Sequence, residues 1–149
     1  MIRVRKALGS DIPTLCRLGK LYHAESQYQQ LPFSAYKLSV MIATLMRNDE
    51  CVLVLEKSGQ VIGGVLGVVF DHWFSTAKVA MDYCIYVLPE HRRGRSGAML
   101  IKAYVEWAKL QGAEVIQMGI SSGIKQDRTL KLYQKLGGRV VGSLVDFGG

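Results

Sequence analysis

The stretch Val79-Ala80-Met81-Asp82-Tyr83-Cys84-Ile85-Tyr86-Val87-Leu88-Pro89-Glu90-His91-Arg92-Arg93-Gly94-Arg95-Ser96-Gly97-Ala98-Met99-Leu100-Ile101 decides the fold. It opens as an apolar run of strand type, and Pro89 ends the strand because it brings no N–H to a ladder. A basic turn containing Gly94 follows, and apolar periodicity starts a helix at about Ser96. A strand passing through a tight turn into a helix points free N–H groups outward at the positive end of the helix dipole. That arrangement suits a phosphate. Gly94 and Gly97 have no side chain to keep a ligand from the backbone. Period-two alternation along the strand puts Asp82 and Cys84 on one face and Tyr83 and Ile85 on the other.

Upstream of this stretch, Ile2-Arg3-Val4-Arg5 alternates as a first strand. Leu8 to Asp11 is a turn with helix N-cap chemistry, and Pro13 is tolerated in the first helical turn after it. Ile12, Leu15, Leu18 and Tyr22 fall at helical spacing, and that helix ends near Ala24 or Glu25. Ser26 to Phe33 reads as a polar loop with Ser34 as the next N-cap. Leu38, Met41, Ile42, Leu45 and Met46 then form one apolar helical face, read as core. Cys51 to Leu55 is a strand, Lys57 to Gln60 a hairpin turn, and Val61 to Phe70 a second strand that Gly63, Gly64 and Gly67 weaken or bend. Asp71 to Lys78 is a loop carrying His72, Trp73 and Phe74.

Downstream, Ser96 to Leu110 is a helix with Gly112 as C-cap. Val115 to Ile120 is a strand and Ser121 to Gly123 a loop. A helix runs from Gln126 or Asp127 to Leu136, closed by Gly137-Gly138, and Val140 to Phe147 is a last strand. The order β–α–α–β–β–β–α–β–α–β describes an α/β domain with a mixed sheet and helices on both faces.

A chain of 149 residues suits one domain, residues 1–149, around a single core. Hydrophobic content of 49% and charged content of 21% are those of an ordinary soluble globule. The longest uncharged apolar runs fall short of a membrane span, and the N-terminus lacks the apolar centre of a signal peptide, so a cytoplasmic protein is expected. Cys16, Cys51 and Cys84 are widely spaced, giving neither a disulfide framework nor a metal-ligand pattern; each reads as a small core residue, and no metal is expected. The net charge of +7, from 19 basic and 12 acidic residues, fits an anionic ligand and would fit nucleic acid equally.

The segment Val87-Leu88-Pro89-Glu90 followed by Arg92-Arg93-Gly94-Arg95-Ser96-Gly97 resembles the acyl-CoA-binding motif of the GNAT family of N-acetyltransferases. In that family a strand ending in Val-x-Pro-Glu leads into Arg/Gln-x-x-Gly-x-Gly/Ala, which grips the CoA pyrophosphate. Arg92 matches the first position and Gly97 the last, while Arg95 stands where the family has its central Gly. A frame shifted by one residue makes Gly94 central but puts His91 first and Ser96 last, and it spoils the spacing to Leu100-Ile101. Leu132-Tyr133-Gln134-Lys135-Leu136-Gly137-Gly138 is similar to the family's Leu-Tyr-x-Lys-Leu-Gly-Phe segment, with Gly138 in place of the aromatic. The element order is also the family's, so the resemblance covers essentially the whole chain.

The resemblance implies a GNAT-type acyl-CoA N-acyltransferase fold, with a mixed central sheet of about six to seven strands flanked by about four helices. It implies acetyl transfer from acetyl-CoA, as cosubstrate, to a primary amine by direct attack in a ternary complex. The strand ending at Val87 would carry a bulge that splays it from its neighbour, and the backbone of Ile85, Tyr86 and Val87 would face the pantetheine as an added strand would. One of these N–H groups could stabilise the oxyanion, a donor worth about 3–4 kcal/mol in other enzymes. Arg92, Arg93, Gly94, Arg95, Ser96 and Gly97 would hold the pyrophosphate, and Gln126 would reach the pantetheine or phosphate arm. Tyr133 matches the tyrosine that protonates the departing thiolate.

An amine attacks only when neutral, and a lysine-like amine has a pKa near 10.4, so a base or a water path to one is needed. Asp82 and Glu25, the latter with His23, are the candidates. His91 reads as a solvated turn residue and His72 as part of an aromatic loop. The segment His23 to Phe33 falls where the family builds its acceptor site. Two other readings stand beside this one: a GNAT-fold protein that binds acyl-CoA without turnover, and a basic nucleic-acid-binding module. Nucleic acid is not expected as partner, since the basic residues are spread along the chain and no zinc-finger, Gly-x-Gly-x-x-Gly or P-loop pattern occurs. An edge strand near the C-terminus is a candidate for pairing between subunits of a homodimer.

Overall fold

The computed structural model describes residues 1–148; Gly149, the last residue of the expected domain, lies outside the described residues. The chain runs β1 (Ile2–Lys6), α1 (Ile12–Glu25), α2 (Ala35–Arg47), β2 (Cys51–Lys57), β3 (Gln60–Asp71), β4 (Lys78–Val87), α3 (Ser96–Leu110), β5 (Val115–Ile116) and α4 (Gln126–Lys135). The strands form one mixed sheet in the order β1-β2-β3-β4-β5. The first four pair antiparallel and β5 lies parallel to β4, so the crossover between them needs α3.

Helices cover both faces. Leu100, Tyr104, Trp107 and Ala108 of α3 bury one face with Leu53, Leu55, Val65 and Val87. Leu15 and Leu18 of α1 and Ile42 and Leu45 of α2 bury the other with Val52, Val54, Leu66 and Tyr86. This explains why Cys51 to Leu55 is apolar without alternation: the strand is buried on both faces. The expected cap of α2 forms, with the Ser34 hydroxyl accepting from Lys37 N at 3.1 Å. Among the described residues, no helix is long and apolar enough to cross a membrane.

Two readings of the strands are corrected. Ser-Leu-Val-Asp-Phe and the residues before it do not form a strand: residues 139–148 have no regular structure and are all exposed, so the sheet holds five strands rather than six to seven. The physical reason lies next door. β5 offers an edge of only two residues, which gives a further strand few ladder bonds to set against its ordering entropy, and Gly142 raises that entropy. The second correction is the phase of β4. Ala80 packs beneath α3, yet Cys84 and Tyr86 pack beneath α1 and α2, while Ile85 and Val87 join the α3 side. Leu66 pairs with Cys84 and Gly67 with Asp82, which leaves Tyr83 as an extra, bulged residue. The bulge breaks the period of two, so Asp82 keeps the phase of Ala80 and does not share a face with Cys84.

The glycines of β3 mark close approach of neighbours. A Cβ on Gly63 would sit 2.6 Å from the Tyr86 carbonyl oxygen, and one on Gly67 2.9 Å from Cε1 of Tyr104. Gly63→Ala is expected to destabilise by about 1–3 kcal/mol through this backbone clash. Thermal unfolding should show a fall in Tm of roughly 3–10 °C. Gly142→Ala, in open space, should leave Tm unchanged.

Candidate active site

The site is an opening between β4 and β5. β5 pairs with β4 through Val79–Val115 and Ala80–Ile116, with flanking bonds from Glu114 N to the Lys78 carbonyl and from Gln117 N to the Ala80 carbonyl. Beyond Ala80 the two strands part. Leu88 N donates to the Ile62 carbonyl, which sets the ladder phase: Tyr86 exchanges its backbone bonds with Gly64 of β3, and the backbone groups of Ile85 and Val87 point to the open side. The Tyr86 backbone therefore faces β3, and its ring is buried edge-on against Tyr22.

At the wide end of the opening, a short 3₁₀ turn (Pro89–His91) and residues 92–95 lead into α3. Gly94 has φ +89°, a left-handed conformation that suits glycine. Arg95 has φ −100°, so the backbone at the family's central-Gly position carries a side chain without strain. The N-terminus of α3 has no side-chain cap, which leaves its first N–H groups for another acceptor. Arg93 and Arg95 are exposed, and their guanidinium groups have no hydrogen-bond or ion-pair partner among the described residues. Ser96 is buried, and a Cβ on Gly97 would meet Leu132 of α4 at 3.2 Å, so Gly97 also lets α4 lie close to α3.

At the narrow end, Asp82 and Tyr133 converge on Gly119. Gly119 N donates to Oδ1 of Asp82 at 2.8 Å, and the Tyr133 hydroxyl lies 3.5 Å from the Gly119 carbonyl oxygen. Burial pushes the Asp82 carboxyl up to about 6, against the Gly119 amide, which pulls it down. Burial first, and then the Asp82 charge, raise the Tyr133 phenol well above its usual range, so it stays protonated. The arrangement places a carboxylate that can take a proton near neutrality beside a phenol that can give one. Nothing in residue spacing pointed to Gly119.

Glu25 sits apart from this pair. The Arg92 guanidinium donates to its two carboxylate oxygens at 2.5 and 2.8 Å and, through Nε, to the Val87 carbonyl at 2.8 Å. Its Cζ lies 5.1 Å from the centre of the Tyr86 ring, and the Tyr86 hydroxyl donates to Glu25 at 2.8 Å. Arg92 holds the Glu25 carboxyl below the usual carboxylate range, with the Tyr86 hydroxyl adding to it against burial. So Arg92 is engaged inside the protein, whereas Arg93 and Arg95 are not. His23 donates from Nε2 to the Leu31 carbonyl at 2.6 Å and packs on Phe33, ordering the loop after α1. Gln126 is exposed at the start of α4. His72 stacks with Trp73 and Phe74 in the β3–β4 loop, away from β4's C-terminal turn.

The sequence profile of the Acetyltransferase (GNAT) family matches residues 18–138. No curated protein matches the chain by sequence. Solved structures do by shape. A predicted acetyltransferase from Clostridium acetobutylicum, solved with acetyl-CoA, aligns with a TM-score of 0.81 at 17% identity, covering 99% of this chain and 96% of that one. AAC(6')-Iy, in complex with the bisubstrate analog CoA-S-monomethyl-acetylneamine, aligns at 0.80 and 15% identity over 100% and 98% of the two chains. An aminoglycoside acetyltransferase from an uncultured soil metagenomic sample, in complex with trehalose, aligns at 0.75 and 21% identity over 99% and 95%. At these identities the likeness establishes the fold.

The raised Asp82 pKa has a consequence for stability. Its folded value of about 6 lies above the ordinary 3.8. The folded state therefore binds more protons than the unfolded state between those values, and stability falls as pH rises through that window. Asp82→Asn removes the desolvated charge and keeps an oxygen for Gly119 N. It should raise Tm by a few degrees at pH 7.5 and by much less at pH 4, read from thermal unfolding at both pH values.

Proposed function

The chain belongs to the GNAT acetyltransferase family, and on that footing we propose that it is an N-acetyltransferase that moves the acetyl group of acetyl-CoA to a primary amine within one domain. The observation that carries this reading is the meeting of Asp82 and Tyr133 at Gly119, on the open flank of β4. Acetyl-CoA would supply the thioester. The residues here fit it: the backbone groups of Ile85 and the Val87 N–H face the opening where a pantetheine arm can pair. Arg93, Arg95, Gly94 and the uncapped N-terminus of α3 suit a diphosphate.

Asp82 is the base of this proposal. It takes the proton from the attacking nitrogen as the C–N bond forms and the C–S bond breaks. Tyr133 gives its phenol proton to the departing sulfur. Glu25 is less suited to the base role, because Arg92 keeps it ionised and occupied. Arg92 acts from inside the turn, and the phosphate contacts fall to Arg93 and Arg95. Gln126, exposed at the start of α4, is proposed as a contact to the pantetheine or phosphate arm.

The acceptor is proposed to be a small monoamine rather than a polycation. Between His23 and Phe33 the one acidic residue is Glu25, and Arg92 neutralises it. With a net charge of +7, the surface field repels polycationic amines. The aminoglycoside enzymes of the same fold thus share the chemistry proposed here without defining the acceptor.

A homodimer is proposed as the assembly. Val140, Val141, Leu144, Val145 and Phe147 are exposed on a segment that, among the described residues, makes no backbone hydrogen bond to the body of the protein. A second copy supplies the match, the exposed apolar side chains of each C-terminal segment burying against those of the other. Removal of residues 140–149 should shift the protein to monomer in sedimentation; an unchanged dimer, or a monomeric full-length chain, refutes this.

Saturating acetyl-CoA, at about 100 times its Kd, should add roughly 2.7 kcal/mol of stability. That corresponds to a rise in Tm of roughly 5–10 °C, with ATP giving less. Equal shifts with both ligands would reduce the turn to a general anion site. With an amine panel, kcat/KM should rise with pH through about 6 as Asp82 loses its proton. Tyr133→Phe should lower kcat by about 10²-fold or more with acetyl-CoA affinity retained. Tight acetyl-CoA binding with no acetylation of any amine would favour a non-catalytic binder.

A further inference from the structure

We infer that Glu25-Ser26-Gln27 is a strap across the β4–β5 opening, and that Glu25 and Gln27 are positioning residues that set its width. The inference deepens the acetyltransferase reading and rests on it for the ligand named below.

Each end of the strap is tied to a different side of the opening. On the β4 side, Glu25 takes both arms of the Arg92 fork and the Tyr86 hydroxyl, and Arg92 in turn holds the Val87 carbonyl. A bidentate arginine–carboxylate pair fixes direction as well as distance. The ion pair is partly shielded, with side-chain exposures of 21% and 32%, so solvent screens it less than a surface pair. On the far side, Gln27 N donates to the Ser122 carbonyl at 2.7 Å, and the Gln27 side-chain amide donates to the Ser121 carbonyl. Ser121 and Ser122 belong to the connection that leaves β5 for α4.

The middle of the strap has little freedom. Ser26 is 1% exposed, its hydroxyl donates to the His23 carbonyl at 3.0 Å, and it accepts from Tyr28 N at 3.1 Å. Three residues span at most about 10 Å when extended. A strap that short, anchored at both ends, limits how far the turn after β4 can move from the loop after β5. Those are the two walls between which a pantetheine arm would lie. The strap also begins at the end of α1 and continues into the loop to Phe33, so it joins the proposed acceptor side to the cofactor turn.

The arrangement gives Glu25 a task different from proton transfer. A base would be free to approach the amine, whereas both oxygens of Glu25 are occupied by Arg92 and Tyr86. Its loss should therefore loosen cofactor binding rather than remove a titrating group.

The test compares wild type, Glu25→Gln, Gln27→Ala and the charge swap Glu25→Arg/Arg92→Glu. Acetyl-CoA binding by calorimetry, steady-state kinetics across pH, and hydrogen exchange of the ligand-free protein are measured on each. Glu25→Gln should raise the acetyl-CoA Kd by about 5–20-fold, a typical size for coupling between sites. It should change kcat by less than about threefold and leave the limb near pH 6 in place. Gln27→Ala should act in the same direction, and the swap, which restores an ion pair, should bind acetyl-CoA more tightly than Glu25→Gln. Amides of Ile85–Val87 and Gln117–Ser122 should exchange faster in both single variants without ligand. An unchanged Kd and unchanged exchange overturn the strap. A large fall in kcat with loss of the pH limb overturns it in favour of Glu25 as base. If Glu25→Gln does not fold, Gln27→Ala decides. If wild type does not bind acetyl-CoA, the function reading fails, and exchange in the ligand-free variants still decides the strap.

Discussion

Every backbone N–H and C=O in the middle of a sheet needs a partner, and β4 lacks one along half its length. Its antiparallel bonds to β3 continue to Val87, but its parallel bonds to β5 stop at Ala80. A run of polar backbone buried on one side and open on the other is costly unless something answers it. The protein answers it in pieces. Asp82 reaches across to the amide of Gly119, and Arg92 turns back onto the carbonyl of Val87. What remains unanswered, at Ile85 and the Val87 N–H, is what an extended ligand can pair with. The opening thus follows from a strand pairing that ends early, with side chains patching its two ends.

The two arginine environments follow from the same constraint. Arg92 is drawn inward because a free carbonyl and a partly shielded carboxylate lie within its reach, and a guanidinium can serve both with one rigid fork. Arg93 and Arg95, one and three residues on, have no such partners and stay in solvent. A family motif read as a row of equivalent phosphate ligands is, in three dimensions, one clamp and two free cations. Gly97 shows the same divergence: its lack of a side chain serves contact with Leu132 of α4 as well as access to the turn.

The sequence was most informative where local rules act alone. β4, the turn and α3 were legible because Pro89, the glycine at 94 and the apolar period of α3 each have one local meaning. So were α1, α2 and the Lys57–Gln60 hairpin, whose turn residues Ser58 and Gly59 both have positive φ. The Tyr83 bulge was not legible in its effect, because one extra residue reverses the face of everything beyond it, and only the partner strand reveals where the extra residue sits. The Val140–Phe147 segment has strand composition, but composition cannot say whether an edge long enough to receive it exists. The Glu25–Arg92 pair lies 67 residues apart in sequence, and no spacing rule reaches that far. Asp82 and Tyr133 were singled out separately, and their meeting through Gly119 required the fold.

Two aspartates show how environment divides a single residue type. Asp11 is 8% exposed and faces Arg5 at 2.8 Å, with the amide of Leu8 at 2.7 Å. The Arg5 guanidinium holds its carboxyl below the usual range, so its charge joins β1 to the start of α1. Asp82 is half-buried, but its partner is the neutral amide of Gly119, and it has no ion pair among the described residues. Burial then prevails and the carboxyl rises to about 6. A charge kept for stability needs a countercharge; a carboxylate kept for proton transfer needs its pKa near the working pH, which a countercharge would prevent. Among the described residues no cation faces Asp82, and under the proposed reaction that difference would separate the two roles. Under the proposed reaction, the Asp82→Asn change that adds stability would also remove the base, so stability and activity would pull in opposite directions there.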